Sequence, residues 1–153
     1  MTLDDIVPWG RTLDEYRAIF NLSEADLNAS ILGCGDGPAS FNAEMTRLGY
    51  SVTSVDPIYQ FSAEQIEQRV RATYATVISQ VKQNFDRYVW QNFADADQLG
   101  QARLRAMETF LLDYDAGKAA GRYLNQALPS LAFADSQFEL CLCSHLLFLY
   151  SDQ

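Results

Sequence analysis

The sequence predicts an α/β fold with a mainly parallel sheet and long helices packed beside it. Three observations carry this prediction: a strand, turn, helix and strand in succession near residues 29–55, two long amphipathic segments in the middle, and a late apolar strand near 138–143. Apolar positions stepping by three and four mark helices, whereas short apolar or alternating runs mark strands.

Thr12-Leu13-Asp14-Glu15 reads as a capping box that opens a short helix to about Phe20. Asn21 to Asn28 is a polar turn region with a second helix start at Ser23. Ala29-Ser30-Ile31-Leu32 is a short run that ends in Gly33 and reads as a buried strand. Gly33-Cys34-Gly35-Asp36-Gly37-Pro38 is a glycine turn. The helix after it runs from about Ala39 to Leu48 and is stopped by Gly49. Tyr50 to Val55 is β-prone and stops at Asp56-Pro57. Two strands joined through a helix in about 30 residues form a βαβ unit, which requires parallel pairing.

The middle changes period. Ser62-Ala63-Glu64-Gln65 is another capping box, followed by the stripe Ile66, Val70, Tyr74, Val77, Val81, Phe85 and Tyr88. A second long helix is predicted from Asp97 to about Lys118, with Leu104, Met107, Leu111 and Tyr114 on its apolar side. Core packing of a helical hairpin accounts for both stripes, and a lid over a substrate pocket is compatible with them. Arg122 to Gln126 is a weaker strand candidate. Phe138 to Cys143 reads as a strand that is apolar on both faces, as central parallel strands are.

Composition narrows the function. The chain has 153 residues, suited to one domain, with 48% hydrophobic residues, enough for a core. Its net charge of -9 opposes binding to a phosphate backbone, which needs clustered Lys and Arg. Nucleic acid is therefore not an expected partner. The N-terminus lacks the basic and apolar regions of a secretory signal, and the most apolar run, Phe138 to Tyr150, is too short to span a bilayer. The expected setting is cytoplasmic, with no membrane partner. Three cysteines do not suggest a disulfide framework. Cys141 and Cys143 share one face of a strand, but one histidine in the chain and no further cysteine nearby in sequence argue against zinc. No metal is expected, and Cys34, Cys141 and Cys143 read as small core residues.

The glycine turn carries the most chemistry. Gly33, Gly35 and Gly37 let the backbone turn tightly and approach a ligand without a Cβ in the way. Asp56 stands about 20 residues on, at the end of the next strand, where an acid can accept hydrogen bonds from ribose hydroxyls. Together they point to a nucleoside-containing cofactor; a tight turn and a solvated acid is the plainer alternative. The dinucleotide pattern G-x-G-x-x-G is absent, since the sixth position is Pro38 and the third glycine is Gly37. That opposes a nicotinamide-dependent oxidoreductase.

The run Ile31-Leu32-Gly33-Cys34-Gly35-Asp36-Gly37-Pro38 with Val55-Asp56 resembles the first two motifs of class I S-adenosylmethionine-dependent methyltransferases. Leu131-Ala132-Phe133-Ala134-Asp135-Ser136-Gln137-Phe138-Glu139-Leu140 is similar to the segment that leads into that family's fourth strand. The resemblance covers about Ser30 to Tyr59 and Leu128 to Tyr150. It implies a Rossmann-like three-layer sandwich with strand order 3-2-1-4 and a long helical insertion after strand 2, about residues 61–118. It also implies S-adenosyl-L-methionine as cofactor and methyl transfer to a small-molecule acceptor. Gly33, Cys34, Gly35, Asp36 and Gly37 would then line the methionine and ribose, Asp56 would hold the ribose hydroxyls, and Pro57 and Leu128 would flank the adenine. Ser144 and His145 would lie near the methyl group and the acceptor. For His145, a general base, a substrate contact and a structural role are all open.

Two positions depart from the family's pattern. Ile31 stands where many members carry an acid two residues before the first glycine, and Ala127 where many carry an Asp, with Asn125 or Gln126 as neighbouring substitutes. They motivate an alternative: a non-catalytic cofactor-binding or interaction module. The family's sheet usually continues past the fourth strand, whereas this sequence stops at Gln153. The expectation is a C-terminally truncated domain whose fourth strand is an edge, covered by an oligomer contact or a partner chain.

Overall fold

A computed structural model of the chain describes residues 9–83, 96–128 and 130–144. Both short N-terminal helices start on the predicted caps. Thr12 caps α1 (Leu13–Phe20) through a reciprocal box with Glu15, and Ser23 caps α2 (Glu24–Leu27) through one with Asp26. Asn21 closes α1 in the left-handed conformation, at φ 51°. Such boxes satisfy backbone N–H groups that a helix start otherwise leaves without partners.

The chain then forms β1 (Ser30–Cys34), α3 (Phe41–Arg47) and β2 (Ser51–Val55). Asp56 caps a 3-10 turn over Pro57–Gln60. Two long helices follow, α4 (Ala63–Gln83) and α5 (Ala96–Ala119), and after them β3 (Tyr123–Leu124) and β4 (Leu140–Cys143). All described strands are parallel, in the order β3-β2-β1-β4. The α/β class and the expected strand order are both present. Among the described residues, no helix is long and apolar enough to cross a membrane.

Alternation along β1 sends side chains to two faces. Ile31 joins Tyr16, Leu27, Phe41, Met45, Val52 and Leu142 on the face covered by α1 and α3. Leu32 and Cys34 join Val55 on the other face, against Leu131, Phe133 and Phe138 of the loop before β4. A third cluster ties α4 and α5 to β3: Tyr59, Phe110, Tyr114 and Tyr123 pack edge-on and tilted around Ile66, Val70 and Met107. In α4 the buried line runs Ile66, Val70 and Ile78, which rests on Gly100 of α5. The expected positions Phe85 and Tyr88 lie outside the described residues.

One strand differs from its expectation. β4 is not apolar and buried on both faces: Leu142 is buried, but Cys141 is exposed. The reason is its place, since among the described residues it pairs with β1 alone and stands at the sheet edge.

Candidate functional site

From β1 the chain steps outward to β2 and β3 on one side of the sheet, then crosses back from β3 to β4 on the other side of β1. In open parallel sheets that reversal makes a crevice at the carboxyl ends of the strands. The turn after Cys34, the Asp56 end of β2, the loop after β3 and Ser144 after β4 all belong to this end of the sheet.

Each glycine of the turn has its own cause. Gly35 and Gly37 are left-handed, at φ 70° and 54°, which disfavours any side chain. A Cβ on Gly33 would collide with the Asp36 carboxylate, which folds back beneath the turn. Asp36 is 2% exposed. It accepts from the Tyr16 hydroxyl (2.8 Å) and the Ser54 hydroxyl (2.5 Å). Burial without a cation pushes this carboxyl up to about 6, although the two hydroxyls oppose the rise. Its side chain is thus committed inward, and Asp36 can meet a ligand only through its backbone.

Asp56 is oriented differently. One oxygen accepts from the Gly37 N–H and the other from the Ile58 N–H, both at 2.9 Å. Burial pushes it also up to about 6, against the pull of those two backbone donors. The bond to Gly37 fastens the end of β2 to the glycine turn. Pro57 begins the 3-10 turn beside it. Leu128 is exposed at 41%, in the turn closed by the Ala127–Ser130 bridge. Ser144 is buried, donating to the Gly35 carbonyl (3.0 Å), with its Oγ 3.2 Å from the Tyr16 hydroxyl. His145 lies outside the described residues. Ile31 is fully buried core, so no acid could stand there without loss of packing.

The segment Trp9–Arg11 crosses above the turn, a feature that sequence reasoning missed. The Arg11 carbonyl accepts from Ser40 N–H (3.0 Å), and Gly10 rests on the Pro38 carbonyl. Arg103 of α5 is buried, donates to the Gly10 carbonyl (2.9 Å), pairs with Glu15 and faces the Trp9 ring at 5.0 Å. Burial opposes ionisation of Glu15, but the Arg103 contact outweighs it and holds the carboxyl below its usual value. Nothing in the local sequence marks Arg103, since its partners lie about 90 residues away.

The cysteines also depart from expectation. β1 and β4 pair with Cys34 opposite Cys143, and Cys141 lies two residues earlier on the same face. Cys34 is therefore the further cysteine that the sequence lacked nearby, and the three sulfur atoms lie within 4.8 Å of one another. Pairing of β1 with β4, read together with the cysteine positions, is the signal that could have revealed this.

One protein of Methanocaldococcus jannaschii, described as "Uncharacterized protein MJ0045", is 33% identical to this chain over 153 residues. The match takes in 99% of this chain and 68% of the archaeal protein. No family model matches the chain, and no solved structure matches it.

Proposed function

We propose that this chain, which belongs to the same family as the MJ0045 protein of Methanocaldococcus jannaschii, binds S-adenosyl-L-methionine at its glycine turn and transfers the methyl group to a small-molecule acceptor. One observation supports this reading above the others: Asp56 joins the end of β2 to Gly37 N–H, so the turn and the acid form one unit beside the crevice. Each Asp56 oxygen accepts one backbone bond, and a carboxylate has room for about four. The remaining directions suit the paired hydroxyls of a ribose.

On this reading the fold is a Rossmann-like sandwich, with α4 and α5 as its helical insertion. Pro57 and Leu128 flank the adenine. The backbone of Gly33, Cys34, Gly35 and Asp36 lines the methionine end, with Ser144 and His145 toward the acceptor. The bound sulfonium supplies an already activated methyl group. The chain's own task is then to align an acceptor and exclude water, and the Trp9–Arg11 segment above the turn suits the second role. Three free thiols suit a reducing compartment such as the cytoplasm. A partner chain or second copy along the β4 edge belongs to the same proposal.

A second reading, a binding or interaction module without turnover, is favoured by the burial of the whole turn from Gly33 to Pro38. Calorimetry of the full chain with S-adenosylmethionine and with NAD separates the cases. Binding of the first is expected, and Asp56→Ala is expected to weaken it by about 1–3 kcal/mol, the cost of stranding hydrogen-bonding groups. The affinity should also fall as pH drops below about 6, where Asp56 takes up a proton and loses an acceptor. No heat at millimolar S-adenosylmethionine removes the proposal. Binding without label transfer to a panel of hydroxyl, amine, thiol and carboxyl acceptors favours the module, and binding of NAD alone favours hydride chemistry.

A further inference from the structure

The geometry points to a second site: we propose that Cys34, Cys141 and Cys143 together bind one soft, thiophilic metal cation, monovalent copper or divalent zinc. The inference stands apart from the methyl-transfer reading, because it uses side chains on the Leu32–Val55 face of the sheet and no ligand at the turn.

Strand pairing builds the site. Parallel register sets Cys34 against Cys143, and the two-residue period of β4 puts Cys141 on the same face. All three sulfur atoms lie within 4.8 Å of one another, with Cys34 and Cys141 at 3.6 Å. Metal–sulfur bonds of about 2.3 Å at tetrahedral angles separate sulfur atoms by about 3.8 Å. The three thiols therefore stand close to the separation that a shared ion demands, and small side-chain rotations complete it.

The donor set selects the ion. Among the described residues, the group is sulfur alone, with no carboxylate or imidazole in it. Magnesium and calcium prefer oxygen, whereas thiolates select copper(I) and zinc. Three ligands suit trigonal copper(I), or zinc with a fourth position open. Burial is graded in the same sense: Cys34 is buried, Cys143 intermediate and Cys141 exposed. Leu131, Phe133, Phe138 and Cys143 pack against the buried cluster that holds Cys34. An ion thus has an exposed thiol to meet first and a buried one to settle against. Each thiol that ligates gives its proton to solvent, with no change in oxidation state.

A simple core role for the three thiols is the competing account, and metal titration decides between them. The full chain, reduced with a phosphine, is titrated separately with zinc(II) and with copper(I) against chromophoric chelators, and with cobalt(II) or cadmium(II) for the thiolate-to-metal absorption band. One ion per chain is expected, with a band intensity that corresponds to three thiolates. Cys141→Ser and Cys143→Ser should each weaken binding by at least about 100-fold, beyond the range for losing an outer-shell contact. Retention of copper(I) over zinc(II), or the reverse, identifies the ion. Cys141 is exposed, so its variant tests the site even if Cys34→Ser fails to fold. Failure to retain either ion at micromolar concentration overturns the proposal. So does a band that Cys141→Ser and Cys143→Ser leave unchanged, or a Cys34–Cys141 disulfide forming in place of metal uptake.

Discussion

A chain of hydrogen bonds crosses the molecule from Tyr16 to Tyr123, and its two ends treat a carboxylate in opposite ways. It passes from Tyr16 to Asp36, Ser54 and Asn42, then to Arg122, Asp113 and Tyr123. At the Asp36 end only neutral hydroxyls meet the acid, and burial pushes it up to about 6. At the Asp113 end burial opposes ionisation too, but Arg122 binds both carboxylate oxygens at 2.8 Å and Tyr123 adds a third bond. That acid is held below its usual range. The contrast shows that burial alone does not fix the state of an acid; the charge of its partner does. The cation stands where β3 meets α5, and the neutral partners stand beneath the glycine turn. The turn is left with an acid that can change its proton near neutral pH.

The most damaging test of this contrast is Asp113→Ala. It removes the charge partner of the Arg122 guanidinium, whose side chain is 18% exposed and which keeps only neutral acceptors on Asn42 and Thr46. It also leaves the Tyr123 hydroxyl without the Asp113 acceptor. A loss of about 2–3 kcal/mol in urea unfolding is expected, somewhat below that for a fully buried pair. A loss under half of that would mean that solvent replaces the carboxylate easily.

The Asp36 end is tested by pH. Its folded value lies above the ordinary carboxylate range, so the folded protein holds a proton that the unfolded chain releases between about pH 4 and 6. Stability from this group is present at low pH and is lost as pH rises through 6. Lowering pH from 7 to 5 should therefore add about 1 kcal/mol from Asp36 and a similar amount from Asp56. Asp36→Asn should remove its share of that gain while leaving the other. A variant profile as steep as the parent's would show that Asp36 is not the titrating group.

The smallest effect belongs to a pair on the surface. Arg17 and Glu24 meet at 2.9 Å but are 41% and 70% exposed. Arg17→Ala should change stability by less than about 0.5 kcal/mol. A larger loss would mean that solvent screens this pair less than its exposure implies.

Much of the fold was legible in the residues because its signals are local. Thr12 and Ser23 announce helix starts within three residues, and the alternation of strand, glycine turn and helix from Ser30 to Val55 needs only near neighbours. The Asp56 position was legible for the same reason. What could not be read depends on contacts between distant segments. Arg103 gains its meaning from Gly10 and Glu15, and Cys34 from strand β4. Asp36 is a third kind: its place in the turn was evident, but its inward orientation depends on Tyr16 and Ser54. The edge position of β4 agrees with the expectation drawn from the family resemblance. Its apolar content taken alone suggests a central strand, because apolar content does not separate centre from edge.

The pairing of β1 has a consequence for how the chain assembles. Its partner β2 is 21 residues away in register, from Ser30 to Ser51, whereas β4 is 109 away, from Ile31 to Leu140. Closing the longer loop costs about 1.5 kcal/mol more in chain entropy. The β1–β2 pair can thus form early from local contacts, while β4 has to wait for closure of the longer loop. Ser144 and two of the three thiols travel with that strand.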